Sequence, residues 1–200
     1  MNMQYAIIGD VHSSKEDLAD VLSHIKERAP EAVLIGIGDL FECTISKRNM
    51  HERKFNSLEE VMLIPEGFVE LLTFPSVKGN QEERILFITE TDDPLLGMLS
   101  AMPERIQLGE AEVIHGHQWK WGGEPWSLLE AGVSKRLTFY GHSHRSALLR
   151  NGVAEEVILF DHPYDVKDGQ TLVNVGAVVS DKEWVLYDNI QDTVTFMKVK

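Results

Sequence analysis

An α/β sandwich of two sheets with helices outside is the fold class this sequence predicts, and three observations predict it. The chain opens on a buried strand, an amphipathic helix and a second buried strand, the start of a parallel βαβ unit. Helical patterns supply the connections in the first half. From residue 105 onward the pattern changes to short strands separated by hairpin turns.

Taken in order, "QYAIIGD" at 4–10 is a short apolar run ending in a glycine turn. Ser13 and Ser14 stand where a helix is capped, with Glu16 and Asp17 three residues on. Leu18, Val21, Leu22 and Ile25 then follow at helical spacing, which predicts a helix over 14–29, stopped before Pro30. "EAVLIGIGDL" at 31–40 is the next buried strand. Residues 57–74 carry a helical period interrupted at Pro65. "FPSVKGN" at 74–80 predicts a third short strand, and Pro94 opens a helix that ends near Pro103. Gly109-Glu110, Asn151-Gly152 and Asp188-Asn189 mark the later turns. "ALLRNGVAEEVILF", "QTLVNVGAVV" and "WVLYDNIQDTVTFMKV" are mostly strands.

The 200 residues, read as one domain over 1–200, contain no repeat and no low-complexity linker. The formal charge of -13, from 32 acidic and 19 basic side chains, argues against nonspecific nucleic-acid binding. The longest basic cluster, "SKRNMHERK" at 46–54, is expected to be a solvated face. A single cysteine, Cys43, fits a reducing compartment. No stretch reaches the roughly 20 apolar residues of a membrane span, and the opening segment does not resemble a secretory signal. The expected location is cytoplasmic, with no membrane partner and with homo-oligomerisation left open.

Chemistry-bearing residues collect where strands end. Asp10 and His12 follow "AIIG", Asp39 follows "LIGIG" and Asn80 follows "SVKG". His115 and His117 follow "EVI", and His142 and His144 follow "LTFYG". Ligand sites of open α/β sheets lie at the carboxyl ends of strands, so five such ends converge on one rim. A single Asp after a strand–Gly turn is often only a turn residue. Here, however, five of the eight histidines fall in three D-x-H or H-x-H pairs, all at strand ends. Imidazole with carboxylate and amide oxygen suits Mn, Fe, Zn, Ni or Co. One bridging carboxylate can hold two such ions about 3.5–4 Å apart. Two divalent ions against Asp10 and Asp39 make a positive hole in an acidic protein, suited to a small anionic substrate.

The ordered series Asp10-Val11-His12, Gly38-Asp39, Gly79-Asn80, His115-Gly116-His117 and Gly141-His142-Ser143-His144 resembles the calcineurin-like metallophosphoesterase superfamily, in its small bacterial and archaeal phosphodiesterase branch. "NVGA" at 174–177 resembles the family's Asn-Pro-Gly-Ser turn. The resemblance implies a four-layer α/β/β/α sandwich, two mixed sheets flanked by helices, of the metallo-dependent phosphatase type. It implies two divalent metal ions, with Mn²⁺ the first expectation. One takes Asp10, His12, Asp39 and His144; the other takes Asp39, Asn80, His115 and His142, with Asp39 as the bridge. A metal-bridging hydroxide would attack phosphorus, which makes the chain a phosphodiesterase of small phosphodiesters or nucleotides. The alternatives are a dinucleoside polyphosphate (Ap4A-type) hydrolase and, from another class, a non-catalytic interaction scaffold on the same fold.

Departures from the family pattern shape the remaining expectations. Gln81 stands where many relatives carry a histidine that protonates the leaving group, and an amide cannot do so near neutral pH. His117 or a metal-bound water is the expected substitute proton donor, with substrate contact the other expected role of His117. Glu42 and Glu82 are expected behind the ligands, orienting histidines. Arg145 and Trp119 are the candidate substrate contacts. Trp119, Trp121 and Trp126 can stack on a base, but the commoner use of tryptophan favours a core or an interface for them.

Overall fold

The computed structural model describes residues 3–122 and 127–200. β1 (Gln4–Ile8), α1 (Lys15–Arg28) and β2 (Val33–Gly36) form the expected unit, with β1 and β2 parallel. α1 buries Leu18, Val21 and Ile25, the helical stripe read from the sequence. It stops at Arg28 because Pro30 lacks an N–H and disfavours a helical residue before it. Ser14 is the N-cap, but its hydroxyl bonds the Asp17 carboxylate at 2.7 Å instead of a backbone N–H.

Residues 57–74 do not form the expected helix. Leu58, Val61 and Met62 are buried at helical spacing for a single turn, after which Met62 pairs as an isolated bridge with Cys43. Pro65 removes a donor and Gly67 takes φ +72°, so only a 3₁₀ turn at Val69–Leu71 follows. "FPSVKGN" makes one bridge, Gly36 to Ser76, in place of a strand. α2 (Asn80–Ile88), which the sequence reading did not predict, starts at the candidate ligand Asn80 itself. α3 (Pro94–Ala101) begins at Pro94 as predicted, with the Asp93 carboxylate capping Leu95 N at 2.8 Å.

The later chain is strands: β3 (Arg105–Leu108), β4 (Ala111–Ile114), the short pair β5 (Lys120–Trp121) and β6 (Leu128–Glu130), then β7 (Leu137–Tyr140), β8 (Ala147–Arg150) and β9 (Val153–Ala154). β10 (Pro163–Asp165), β11 (Thr171–Asn174), β12 (Glu183–Asp188) and β13 (Thr193–Lys198) complete it. Two large mixed sheets result, ordered β10-β13-β12-β1-β2 and β3-β4-β7-β11-β8-β9. In the second, β4, β7 and β11 run parallel.

Alternation assigns each strand two apolar faces. Ile7, Ile35, Val185 and Phe196 of the first sheet meet Val113, Phe139 and Val173 of the second, which forms the inter-sheet core. The opposite face of the first sheet, with Ala6, Ile8 and Trp184, packs on α1, α2 and α3. The opposite face of the second sheet buries Ile114, Tyr140 and Leu172 under Trp119, with Trp121 and Leu128 of the β5–β6 hairpin beside it. Among the described residues the helices thus flank the first sheet, and a small hairpin covers the second. Among the described residues no helix is long and apolar enough to cross a membrane.

Candidate metal centre

Parallel strands place their carboxyl ends on one edge, so the loops after β1 and β2 lie side by side, as do those after β4 and β7. Backbone hydrogen bonds join the first two loops: Val11 and His12 N–H both donate to Asp39 O, at 2.8 and 3.0 Å. Gly141 N donates to His115 O at 3.0 Å and joins the second two. Asp10, His12, Asp39, His142 and His144 all have φ between 47° and 72°. Left-handed backbone is uncommon for non-glycine residues, and its clustering here marks loops held by their surroundings.

The two aspartates are fixed in the same way. Asp39 Oδ1 accepts from Gln81 N at 2.9 Å, which leaves Oδ2 at 3.3 Å from His115 Nε2 and 3.8 Å from His12 Nε2. Asp10 Oδ2 accepts from His142 N at 3.0 Å. Its Oδ1 is buried without a hydrogen-bond partner and lies 3.6 Å from His144 Nε2. The imidazoles are likewise held at their far nitrogens. His115 Nδ1 donates to Ile37 O at 2.8 Å, and His12 Nδ1 meets Glu42 Oε2 at 2.5 Å. Each ring thereby turns Nε2 inward.

Two groups capable of holding a metal ion emerge, Asp10–His12–His144 and Asp39–His115–His142, with ligand atoms inside each group within 4.8 Å of one another. Asn80 Oδ1 adjoins the second, 3.2 Å from His115 Nε2. The donors fit cations. His12 Nε2 and His144 Nε2 face each other at 3.1 Å, and the buried Asp10 Oδ1 has no hydrogen-bond partner among the described residues, an arrangement that a shared positive ion satisfies.

Electrostatics agree. Burial pushes the His115 pKa down, but Asp39 and Asp10 outweigh it and raise it to about 10, so the pocket stabilises positive charge. Burial also raises the Asp39 carboxyl, yet the neighbouring His115 and the Gln81 N–H hold it well below the usual range. For His142, burial and the His115 charge act together and lower it to about 4.

All seven expected ligand positions meet here, and His117 stands beside them, its ring centroid 5.2 Å from that of His115. His117 Nε2 pairs with Glu83 Oε2 at 3.0 Å, a partner the sequence reading missed because α2 was not predicted. Burial first, then His115, lowers the His117 pKa. Gln81 is buried; its Oε1 accepts from Cys43 N at 3.1 Å and from Arg84, so the side chain is anchored in the fold.

Other expectations need correction. Glu42 orients His12 as foreseen, whereas Glu82 bonds backbone: its carboxylate accepts from the N–H of Asp39, Leu40, Phe41 and Gly79 at 2.8–3.2 Å. Burial and the Asp39 charge raise its pKa to about 7. Trp119, expected as a substrate contact or a core residue, is 8% exposed and packs on Tyr140 at 5.0 Å in the core. Trp121 is the tryptophan at the site, 5.5 Å from the His142 ring, with Nε1 donating to Gly116 O at 2.9 Å. Trp126 lies outside the described residues. Arg145 is exposed and lines a cavity with Glu155, Glu156, Asp181 and Glu183, of which Glu155 pairs with Arg150 and Asp181 and Glu183 pair with Lys198. Asn174 of "NVGA" donates to Gly141 O at 3.1 Å and Ser143 Oγ at 2.8 Å, which braces the last histidine loop.

The sequence profile of the calcineurin-like phosphoesterase superfamily domain matches residues 3–187. Among solved structures, a metallophosphoesterase from Sphaerobacter thermophilus is similar at 21% identity and TM-score 0.70, over 100% of this chain and 89% of that one. A protein described as a candidate diadenosine tetraphosphatase is similar at 14% identity and TM-score 0.54, over 99% of this chain and 94% of the other. At such identities these two similarities show the fold. No curated protein matches the chain by sequence.

Proposed function

The chain belongs to the calcineurin-like phosphoesterase superfamily, and from that premise we propose that it is a dimetal-dependent phosphodiesterase acting on small phosphodiesters or nucleotides. The observation that carries this reading is Asp39 Oδ2, which faces His115 of one candidate metal group and His12 of the other. In this reading Asp10, His12, Asp39 and His144 hold one ion, and Asp39, Asn80, His115 and His142 hold the second. When bound, such a pair supplies positive charge that polarises a phosphoryl group and makes water a stronger acid. The protein's part is to keep the donors rigid, with their Nε2 and carboxylate oxygen atoms turned inward. Glu42 and Ile37 O hold the rings, and the backbone N–H groups of Gln81 and His142 hold the aspartates. His117, steadied by Glu83, is the group we assign to substrate contact or proton delivery. Mn²⁺ is the metal we would supply first.

A dinucleoside polyphosphate substrate is the second reading, favoured by Gln81. Its buried, anchored amide cannot protonate an alkoxide, and a leaving group that departs as phosphate does not need that help. A non-catalytic scaffold would tolerate eroded ligand positions, whereas all seven here retain donor side chains turned toward one another.

The test is hydrolysis of bis(p-nitrophenyl) phosphate and p-nitrophenyl phosphate by metal-stripped protein, with and without Mn²⁺, beside Asp39→Asn and His142→Ala. Mn-dependent diester cleavage, reduced by about 100-fold or more in both variants, is expected. Undiminished cleavage in Asp39→Asn would remove the bridging assignment, and failure to bind metal would favour the scaffold.

A further inference from the structure

Asn80 and His117 form the inner wall of a cavity of about 350 Å³ that opens from the candidate metal centre toward segment 46–54. Lys47 and Met50 of that segment and Arg84 and Phe87 of α2 supply the outer walls. The volume lies in the range of small-ligand pockets, roughly 300–1,000 Å³. Glu83 also lines the cavity, its carboxylate 3.0 Å from His117 Nε2. A ligand entering here meets two cations, Lys47 and Arg84, against this one carboxylate. Arg84 is oriented by its bond to Gln81 Oε1, and its Nε is buried without an acceptor among the described residues.

The apolar wall is held in place as well. Phe87 is 42% exposed, yet Lys54 Nζ lies over its ring at 4.4 Å and His51 packs edge-on at 5.2 Å. The basic segment, exposed at every position of 46–54 but Met50 as expected, also folds against α2 around this ring. In a protein of charge -13, this mouth of the site is locally positive. The opposite mouth, beyond His144 and Arg145, is lined by Glu155, Glu156, Asp181 and Glu183, of which Glu155 pairs with Arg150 and Asp181 and Glu183 pair with Lys198, so it offers an anion no pair of cations like Lys47 and Arg84. The asymmetry gives an anionic substrate one direction in which to lie.

We propose that the Lys47–Arg84 cavity is the subsite for the part of the substrate beyond the scissile phosphate, and that this part is a nucleoside phosphate. Its charge meets Lys47 and Arg84, and its ring lies along Met50 and Phe87. The inference rests on the phosphoesterase reading above and names its substrate class.

Calorimetric titration of the Mn²⁺-loaded protein with adenosine 5′-(α,β-methylene)diphosphate, which resists hydrolysis, measures the subsite without turnover. Methylenediphosphonate, the same anion without the nucleoside, is the comparison. The nucleoside analogue is expected to bind about tenfold or more tightly than the bare anion, with Lys47→Glu weakening it by a similar factor. Phe87→Ser is expected to remove the advantage of the nucleoside. Both side chains are exposed, so the fold is retained, and thermal melts of the variants verify it. Equal affinity for analogue and bare anion, or indifference to Lys47→Glu, overturns the proposal. Wild-type hydrolysis of bis(p-nitrophenyl) phosphate is followed alongside. Hydrolysis without nucleoside preference rejects the subsite alone, whereas preference without hydrolysis rejects the phosphoesterase reading and keeps a nucleotide site.

Discussion

At the scale of single residues, the centre depends on groups that hold the donors as much as on the donors. Glu42 is the plainest case, since its carboxylate at 2.5 Å from His12 Nδ1 sets which nitrogen faces inward. Glu42→Gln is expected to raise the Mn²⁺ concentration for half-maximal phosphoesterase activity by about 10–100-fold, with little change at saturation. An unaltered metal titration would make Glu42 incidental. Away from the site, Glu112 has no solvent-exposed side-chain surface and accepts from Ser134 N and Oγ, Thr138 Oγ1 and Arg105 at 2.9–3.3 Å. Burial pulls its pKa up, but the bonds from Ser134 and Arg105 outweigh burial and leave it below the ordinary 4.5. Its stabilisation is therefore complete above the unfolded pKa and is lost as pH falls through the lower folded value. Urea unfolding should show Glu112→Gln less stable at pH 7 by about 2 kcal/mol, with a shallower loss on acidification than wild type.

At the scale of elements, two loops must approach more closely than side chains allow. A Cβ on Gly79 would lie 2.2 Å from Asp39 Oδ1 and 2.4 Å from Asp39 N, and one on Gly38 would lie 2.5 Å from Gly79 N. Gly38 also has φ +91°, which other residues rarely adopt. The glycines before Asp39 and Asn80 are thus what lets α2 start against the β2 loop, where Glu82 bonds the three consecutive N–H groups of Asp39, Leu40 and Phe41 and that of Gly79. Gly79→Ala is expected to cost about 1–3 kcal/mol in denaturant unfolding and to weaken Mn²⁺ binding, because Asp39 must shift. Unchanged metal affinity in a folded Gly79→Ala protein would show that the close approach is dispensable.

At the scale of the molecule, the candidate ligands come from both sheets: Asp10, His12 and Asp39 follow β1 and β2, while His115, His142 and His144 follow β4 and β7. Ions held there would join the two halves of the sandwich, so metal occupancy should stabilise the whole fold. Mn²⁺ at about 100 times its dissociation constant is expected to add about 2.7 kcal/mol, read as a rise in Tm that a chelator reverses. Asp39→Asn should lose most of that rise. An equal rise in the variant would mean that Mn²⁺ binds elsewhere.

The sequence by itself determined the βαβ start, the strand-rich second half and the convergence of Asp, Asn and His on strand ends, because strand and helix periods and the residues that follow each strand are local signals. It also specified the ordered motif blocks by which the chain belongs to its superfamily. Only the tertiary structure decided which way long-range partners turn. Residues 57–74 carry a helical period but are pinned singly against the core, and α2 appears where "SVKGN" reads as a strand end. Glu82 serves the backbone of residues 39–41 and 79, Glu83 reaches His117, and Trp119 fills the core while Trp121 faces His142. The basic segment at 46–54 likewise gains meaning from Phe87, more than 30 residues away. None of these is visible in the sequence, because a side chain's partner is set by the packing of distant elements, and local periodicity carries no information about that.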